Sequence, residues 1–123
     1  MELVMSSLSK TWIFDLDGTL VVHNGYKIGR DRLLPGVKDF LNSIPETDYI
    51  LIVTSREEEA RFNTERFLYE EGIRYNKIIF EMPMGERILM NDKKPSGLPC
   101  AFAISIDRNQ GFEDLTYRID ESL

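Results

Sequence analysis

The segment Trp12–Tyr26, WIFDLDGTLVVHNGY, decides how this chain is read. It opens as a buried strand, then sets Asp15 and Asp17 two residues apart, followed by Gly18 and Thr19. Alternate strand residues share a face, so the two carboxylates stand side by side and repel. Either something positive lies between them or the pair is a defect of the fold. The rest of the sequence has to supply the partner.

The bulk composition narrows the choice. A chain of 123 residues has room for one core, and 42% hydrophobic content is ordinary for a globular protein. A single domain over residues 1–123 is expected, with its core over about 11–107. No apolar run approaches the roughly 20 residues that span a bilayer. The opening MELVMSSLSK lacks the basic start and continuous apolar stretch of a signal peptide. One cysteine, Cys100, excludes a disulfide framework within the chain, and a cytoplasmic location is the expectation. The net charge of −6 disfavours nucleic acid and anionic membrane as partners. A small anionic substrate is still compatible, because a bound cation reverses the local field.

Working outward from Asp15, the chain alternates strands and helices. TWIFDLD (Thr11 to Asp17) reads as the first strand, and Asn24-Gly25 between β-branched flanks predicts a tight hairpin. Val37, Phe40, Leu41 and Ile44 recur at helical spacing between Pro35 and Pro45. DYILIVTS (Asp48 to Ser55) is an aliphatic run of the kind covered on both faces of a sheet. Ser55 with Glu58 predicts a capping box opening a helix to about Gly72, with Ala60, Thr64, Phe67 and Leu68 inward. Phe62 and Tyr69 fall on the opposite face. Asn76–Met82, Glu86–Asp92 and Cys100–Asp107 read as three more strands. This alternation implies a largely parallel sheet wrapped by helices, with its site beyond the carboxyl ends of the strands.

Three of those strand ends carry chemistry: Asp15/Asp17, Thr54/Ser55 and Asn91/Asp92. A hard cation such as Mg²⁺, held by Asp15 and Asp92, would relieve the repulsion of the acid pair. Asp15 is then placed to attack phosphorus, and Asp17 to protonate the leaving oxygen and later activate water. Thr54, Ser55 and the amides at the start of the following helix suit phosphate oxygens. A lysine would complete the charge balance.

DLDGTL (Asp15–Leu20), IVTSR (Ile52–Arg56) and ILMND (Ile88–Asp92) resemble, in order, the first, second and fourth motifs of the haloacid dehalogenase superfamily. The resemblance runs from about Thr11 to Asp107. It implies a three-layer Rossmann-like α/β core of strand order 5-4-1-2-3 and Mg²⁺-dependent phosphatase chemistry through an aspartyl-phosphate. By that resemblance Asp15 is nucleophile and metal ligand. Asp17 is general acid/base and gives its backbone carbonyl to the metal, Thr54 contacts phosphate, and Asp92 anchors the metal. The chain departs from the pattern twice. Met82 stands before Pro83 in the usual slot of the third-motif lysine, leaving Lys77, Lys93 and Lys94 as candidates. Lys94 is preferred, since alternate residues of an extended segment share a face with Asp92. The acidic motif carries Asn91 where a second acid is common.

The segments Leu20–Leu34 and Gly72–Asn76 are too short for a large cap domain. A bulky substrate, or a neighbouring subunit serving as cover in a homo-oligomer, is therefore expected, and the resemblance to capless members of that superfamily implies a small sugar phosphate as the first substrate class. A non-catalytic phosphate- or metal-binding module on the same fold is the alternative that Met82 favours. A phosphotransferase or mutase shares the first step. A receiver-type domain fits poorly, because both key acids end one strand. Arg56 beside the site, His23 in the hairpin and Cys100 read most simply as a solvated arginine, a surface imidazole and a small core residue.

Overall fold

The computed structural model describes residues 1–123. Its elements in chain order are β1 (Glu2–Met5), β2 (Thr11–Asp15), α1 (Val37–Ser43), β3 (Tyr49–Val53), α2 (Arg61–Glu70), β4 (Lys77–Ile79) and β5 (Thr116–Ile119). Short 3-10 turns occupy Gly25–Ile28 and Glu58–Ala60. The protein is a small α/β structure with two α-helices and all strand pairs parallel.

Three of these strands form the central sheet in the order β2-β3-β4, with Asp15 opposite Val53 and Val53 opposite Ile79. Their apolar alternation explains the packing. Trp12 and Phe14 share one face with their register partners Ile50 and Ile52, and Ile50, Ile52 and Phe14 are buried. That face meets Phe40 of α1, whose ring stands edge-on to both Trp12 and Phe14. Phe112 stacks on Phe14 and closes the aromatic cluster. The other face carries Ile13, which is 51% exposed, so the sheet is covered fully on one side only.

Helix α2 ends as its sequence dictates. Gly72 takes a positive φ of 72°, its N–H donates to Tyr69 O, and the Ile73 N–H donates to Leu68 O. This is the Schellman pattern, with buried Ile73 and Leu68 as its apolar contact. Thr64 and Leu68 face the core, while Phe62 and Tyr69 are exposed on the opposite side.

Several elements differ from the sequence reading. The first strand stops at Asp15, and Asp17 makes only an isolated bridge to Val21. Asn24-Gly25 does not close a two-residue hairpin. Asn24 is left-handed at φ 59°, Gly25 begins a 3-10 turn, and Val21 bridges Leu33 across a wider loop. Ser55 caps nothing; the turn after Glu57 begins without a side-chain cap of its own. Residues 86–92 and 100–107 are not strands. No backbone N–H from residue 83 to 93, or from 98 to 108, donates a hydrogen bond within the protein. The strand order 5-4-1-2-3 is accordingly not seen, and a second two-stranded sheet, β1 with β5, joins segments that the sequence left without a role. Tyr117 of β5 donates its hydroxyl to Ser43 O at the end of α1, fixing that sheet to the main body.

Candidate active site

The site lies at the carboxyl end of the β2-β3-β4 sheet, and its centre is a side chain that the sequence reading left at the margin. Arg56, three residues past β3, is among the largest fully buried side chains. Its guanidinium has five N–H donors, and all five are used. Nε and Nη2 donate to the two oxygens of Asp17 at 3.1 and 2.9 Å. Nη1 and Nη2 donate to the two oxygens of Asp31 at 2.9 and 2.7 Å, and Nη1 also donates to Thr64 Oγ1 at 2.8 Å. The Tyr26 ring lies 4.0 Å from the guanidinium carbon. Burial disfavours the charged guanidinium, but the hydrogen bonds it donates to Asp31 and Asp17, and their charges, outweigh it, raising an already high pKa.

The two acids of the opening segment are thus separated by their partners. Asp15 is the last residue of β2. Its Oδ2 accepts from Thr19 Oγ1 at 3.0 Å, and its Oδ1 from Arg87 Nη1 at 2.9 Å. The Asp15 side chain is 39% exposed and that of Arg87 41%, so this is a solvated ion pair. Asp17 is held by a buried arginine and Asp15 by an exposed one.

Thr54 is buried, and its Oγ1 accepts the Arg56 N–H at 3.1 Å. Its hydroxyl therefore organises the turn that aims Arg56. Ser55 is exposed in a shallow depression shared with Glu57, Glu59, Glu81 and Met82. Near the start of α2 an anion is already supplied from within: the Glu58 N–H donates to Glu81 Oε2 at 3.0 Å. Glu81 is held there in a left-handed conformation, and its own N–H donates to Arg56 O.

Asp92 and Asn91 are exposed on the segment without strands, where Asn91 Nδ2 reaches Asp92 O at 3.0 Å. Lys94 is half-buried and forms the turn Lys94–Leu98 through its backbone. Lys77 begins β4, at the end of the sheet away from Asp15. Neither Lys77, Lys93 nor Lys94 has a carboxylate within ion-pair distance. Asp17 is joined to Thr54 through Arg56, whereas Asp15 pairs with Thr19 and Arg87, and the side chains of Asp92, Lys77, Lys93 and Lys94 make no hydrogen bond or ion pair with any of these residues.

The oxygen donors suit a magnesium ion in kind, since it takes hard oxygens and keeps part of its water shell. The Asp15 carboxylate is exposed, its ion pair with Arg87 is of the weak surface type, and the main-chain carbonyl of Asp17 accepts no hydrogen bond. The Asp17 carboxylate, by contrast, is fully engaged by Arg56.

Arg56 and Asp31 are the residues the sequence reading missed. Two facing carboxylates demanded a positive charge, and IVTSR placed one directly after a strand end; that was the available signal. Asp31 carries no comparable local mark. No family model, curated protein or solved structure matches this chain.

Proposed function

We propose that the protein is a phosphomonoester hydrolase of the haloacid dehalogenase type, in which Asp15 attacks phosphorus and carries the phosphoryl group as an aspartyl-phosphate. One observation carries this reading. Of the two acids at and just beyond the end of the first strand of the central sheet, Asp17 is locked by a buried guanidinium, whereas Asp15 is oriented by Thr19 yet still solvent-accessible. An oriented and accessible carboxylate at the carboxyl end of a parallel sheet is what a nucleophile requires.

Mg²⁺, when bound through the Asp15 carboxylate, the Asp17 carbonyl and Asp92, would screen Asp15 from the negative charge of an incoming phosphate. The chain's own residues supply the rest. Attack by an Asp15 oxygen on phosphorus breaks the bond to the ester oxygen, and that oxygen needs a proton. Asp17 is the carboxyl nearest in sequence to give it, and it can do so only once one of its oxygens has left Arg56 and taken a proton from solvent. Arg56 then still holds Asp31 and Thr64 through three hydrogen bonds, so the clamp survives the exchange. Lys94 is the proposed balancing cation, and Ser55 the exposed hydroxyl for phosphate oxygens. A small sugar phosphate is the proposed substrate class.

A second reading is a binding module without turnover. The full engagement of the Asp17 carboxylate by Arg56, together with Met82 in the lysine position, favours it. Phosphate release from p-nitrophenyl phosphate, sugar phosphates and nucleotides, with and without Mg²⁺ and beside Asp15→Asn, separates the two. Metal-dependent release lost in Asp15→Asn supports the hydrolase. Absence of release from a folded protein that binds Mg²⁺ overturns it in favour of the module.

A further inference from the structure

The loop of residues 22–32 and helix α2 enclose a groove of about 810 Å³ that no step of the proposed reaction uses. That volume is in the range of small-molecule sites. Its charge is unlike that of the chain as a whole. Arg30 and Arg32 line it from the loop and Arg66 from the helix, in a protein of net charge −6.

The acids in the same wall do not cancel these cations. Asp31 gives both of its oxygens to Arg56, which lies outside the groove lining, and Glu70 pairs with Arg66 at 3.0 Å. Arg30 and Arg32 have no carboxylate within ion-pair distance. Two uncompensated guanidinium groups therefore line one concave surface, next to the half-buried rings of Tyr26 and Phe67.

The loop that presents them is built rather than loose. The Arg30 N–H donates to Gly25 O at 2.9 Å, the Val22 N–H to Arg32 O at 3.0 Å, and the Leu34 N–H to Leu20 O at 2.9 Å. Gly25 is buried, and a Cβ there would stand 2.4 Å from Arg30 O, so the turn closes only around glycine. Asp31, between the two free arginines, is fixed from below by Arg56. The backbone that carries the two cations is thus preorganised, which lowers the ordering cost of binding.

We propose that this groove is a binding site for the phosphate group of a small phosphorylated molecule, with Arg30 and Arg32 as the recognising residues. A phosphate monoester dianion matches two free positive charges. Guanidinium forks also suit phosphate oxygens better than a point charge does. Tyr26 and Phe67 offer the carbon skeleton of the ligand an apolar wall. The proposal does not depend on hydrolysis at Asp15.

The test is a titration of the full chain with inorganic phosphate, followed by NMR of backbone amides and arginine Nε–H groups. It is run in the Asp15→Asn chain so that the candidate active site is disabled. Saturable shifts at Tyr26, Arg30, Asp31 and Arg32 are expected. Arg30→Ala combined with Arg32→Ala should weaken binding about tenfold or more. Both side chains are exposed, so the variant keeps its fold, as its unperturbed core amides would confirm. Arg30→Lys with Arg32→Lys keeps the charge, loses the fork, and should bind between the two. Shifts confined to residues around Asp15 and Thr54, absence of saturable shifts in the loop, or equal binding by all three chains would overturn the site.

Discussion

Arg56 and Asp17 are joined by two parallel hydrogen bonds across 39 residues of sequence, with the Arg56 side chain 1% exposed. The carboxylate pair in Trp12–Tyr26 asked for a positive charge, and the structure supplies one to each acid, Arg56 to Asp17 and Arg87 to Asp15. Asp31 sits on the other side of the same group, so one cation joins the end of the first central strand, the 22–32 loop and, through Thr64, helix α2.

Removing Arg56 would leave two carboxylates, each largely buried, facing each other without a cation. Breaking a buried ion pair from one side costs about 3–5 kcal/mol. Arg56→Gln is expected to lower unfolding stability by roughly that amount, read as the shift of the urea midpoint at constant slope. Arg56→Lys should recover little, because an ammonium has three donors where five are used. Combining Arg56→Gln with Asp31→Asn should cost less than the sum of the single changes, since the two side chains are in direct contact. Strict additivity would count against the shared clamp.

Arg87 and Asp15 make the contrasting case. Both are about two-fifths exposed, and such pairs contribute about 0–1 kcal/mol. Arg87→Ala should leave the urea midpoint almost unchanged. Under the proposed hydrolase it should also leave phosphate release at or above the parent level, because Asp15 Oδ1 loses a competing partner while Thr19 still orients Oδ2. A loss of tenfold or more would place Arg87 in the phosphate site.

The sequence was most readable where local pattern and tertiary packing agree. The aliphatic run around Ile50 and Ile52, the spacing of Val37, Phe40 and Leu41, and Gly72 after α2 each specify their element without help from distant residues. Strand β1 pairs with β5 across the whole length of the chain, and Glu2–Met5 and Thr116–Ile119, four residues each, are too short to announce it. Residues 86–92 fail in the opposite direction. ILM at 88–90 has the composition of a strand, yet strand composition does not say whether a sheet edge is free to receive it. At the site, the places of Asp15 at the end of one strand and Thr54 just past another were legible, while Asp17, expected on the same strand face as Asp15, lies beyond the strand. Arg56 was visible but undervalued, since an arginine following a strand is usually solvated, and its burial depends on Asp31, Thr64 and Tyr26, which no single stretch of sequence contains.

The strandless segment carries a direct test by hydrogen exchange. Without hydrogen bonds from any N–H between residues 83 and 93, or 98 and 108, these amides should exchange at rates close to those of an open chain. Amides of Ile50 to Val53 should exchange only through much larger opening. Met84, Ile88 and Met90 are all more than 80% exposed. Trypsin should accordingly cut after Arg87 or Lys93 before it cuts after Arg61 or Arg66 within α2. Strong protection of residues 86–92 would instead mean that they are hydrogen-bonded as a further strand.

Gly111 provides a test of how the end of the chain is fixed to α1. Its φ is +79°, a region that costs a side chain strain, and a Cβ there would stand 2.2 Å from Pro35 O. The contact is close because the next residue uses the same carbonyl: the Phe112 N–H donates to Pro35 O at 2.8 Å. Gly36 meets this strap from the other side, with its own Cβ position 2.9 Å from the Glu113 nitrogen. The two glycines let the backbones cross, and the crossing delivers Phe112 onto Phe14 and Phe40. Gly111→Ala must therefore move a main-chain carbonyl, and with it the Phe112 ring. A loss of about 1–3 kcal/mol is expected from the backbone strain alone, and more if Phe112 leaves the core. Thermal unfolding monitored by near-ultraviolet circular dichroism checks both effects, because displacement of Phe112 from Phe14 and Phe40, which in turn pack on Trp12, changes the aromatic signal before unfolding begins. A midpoint equal to that of the parent would show that residues 111–113 are not held against Pro35 and Gly36.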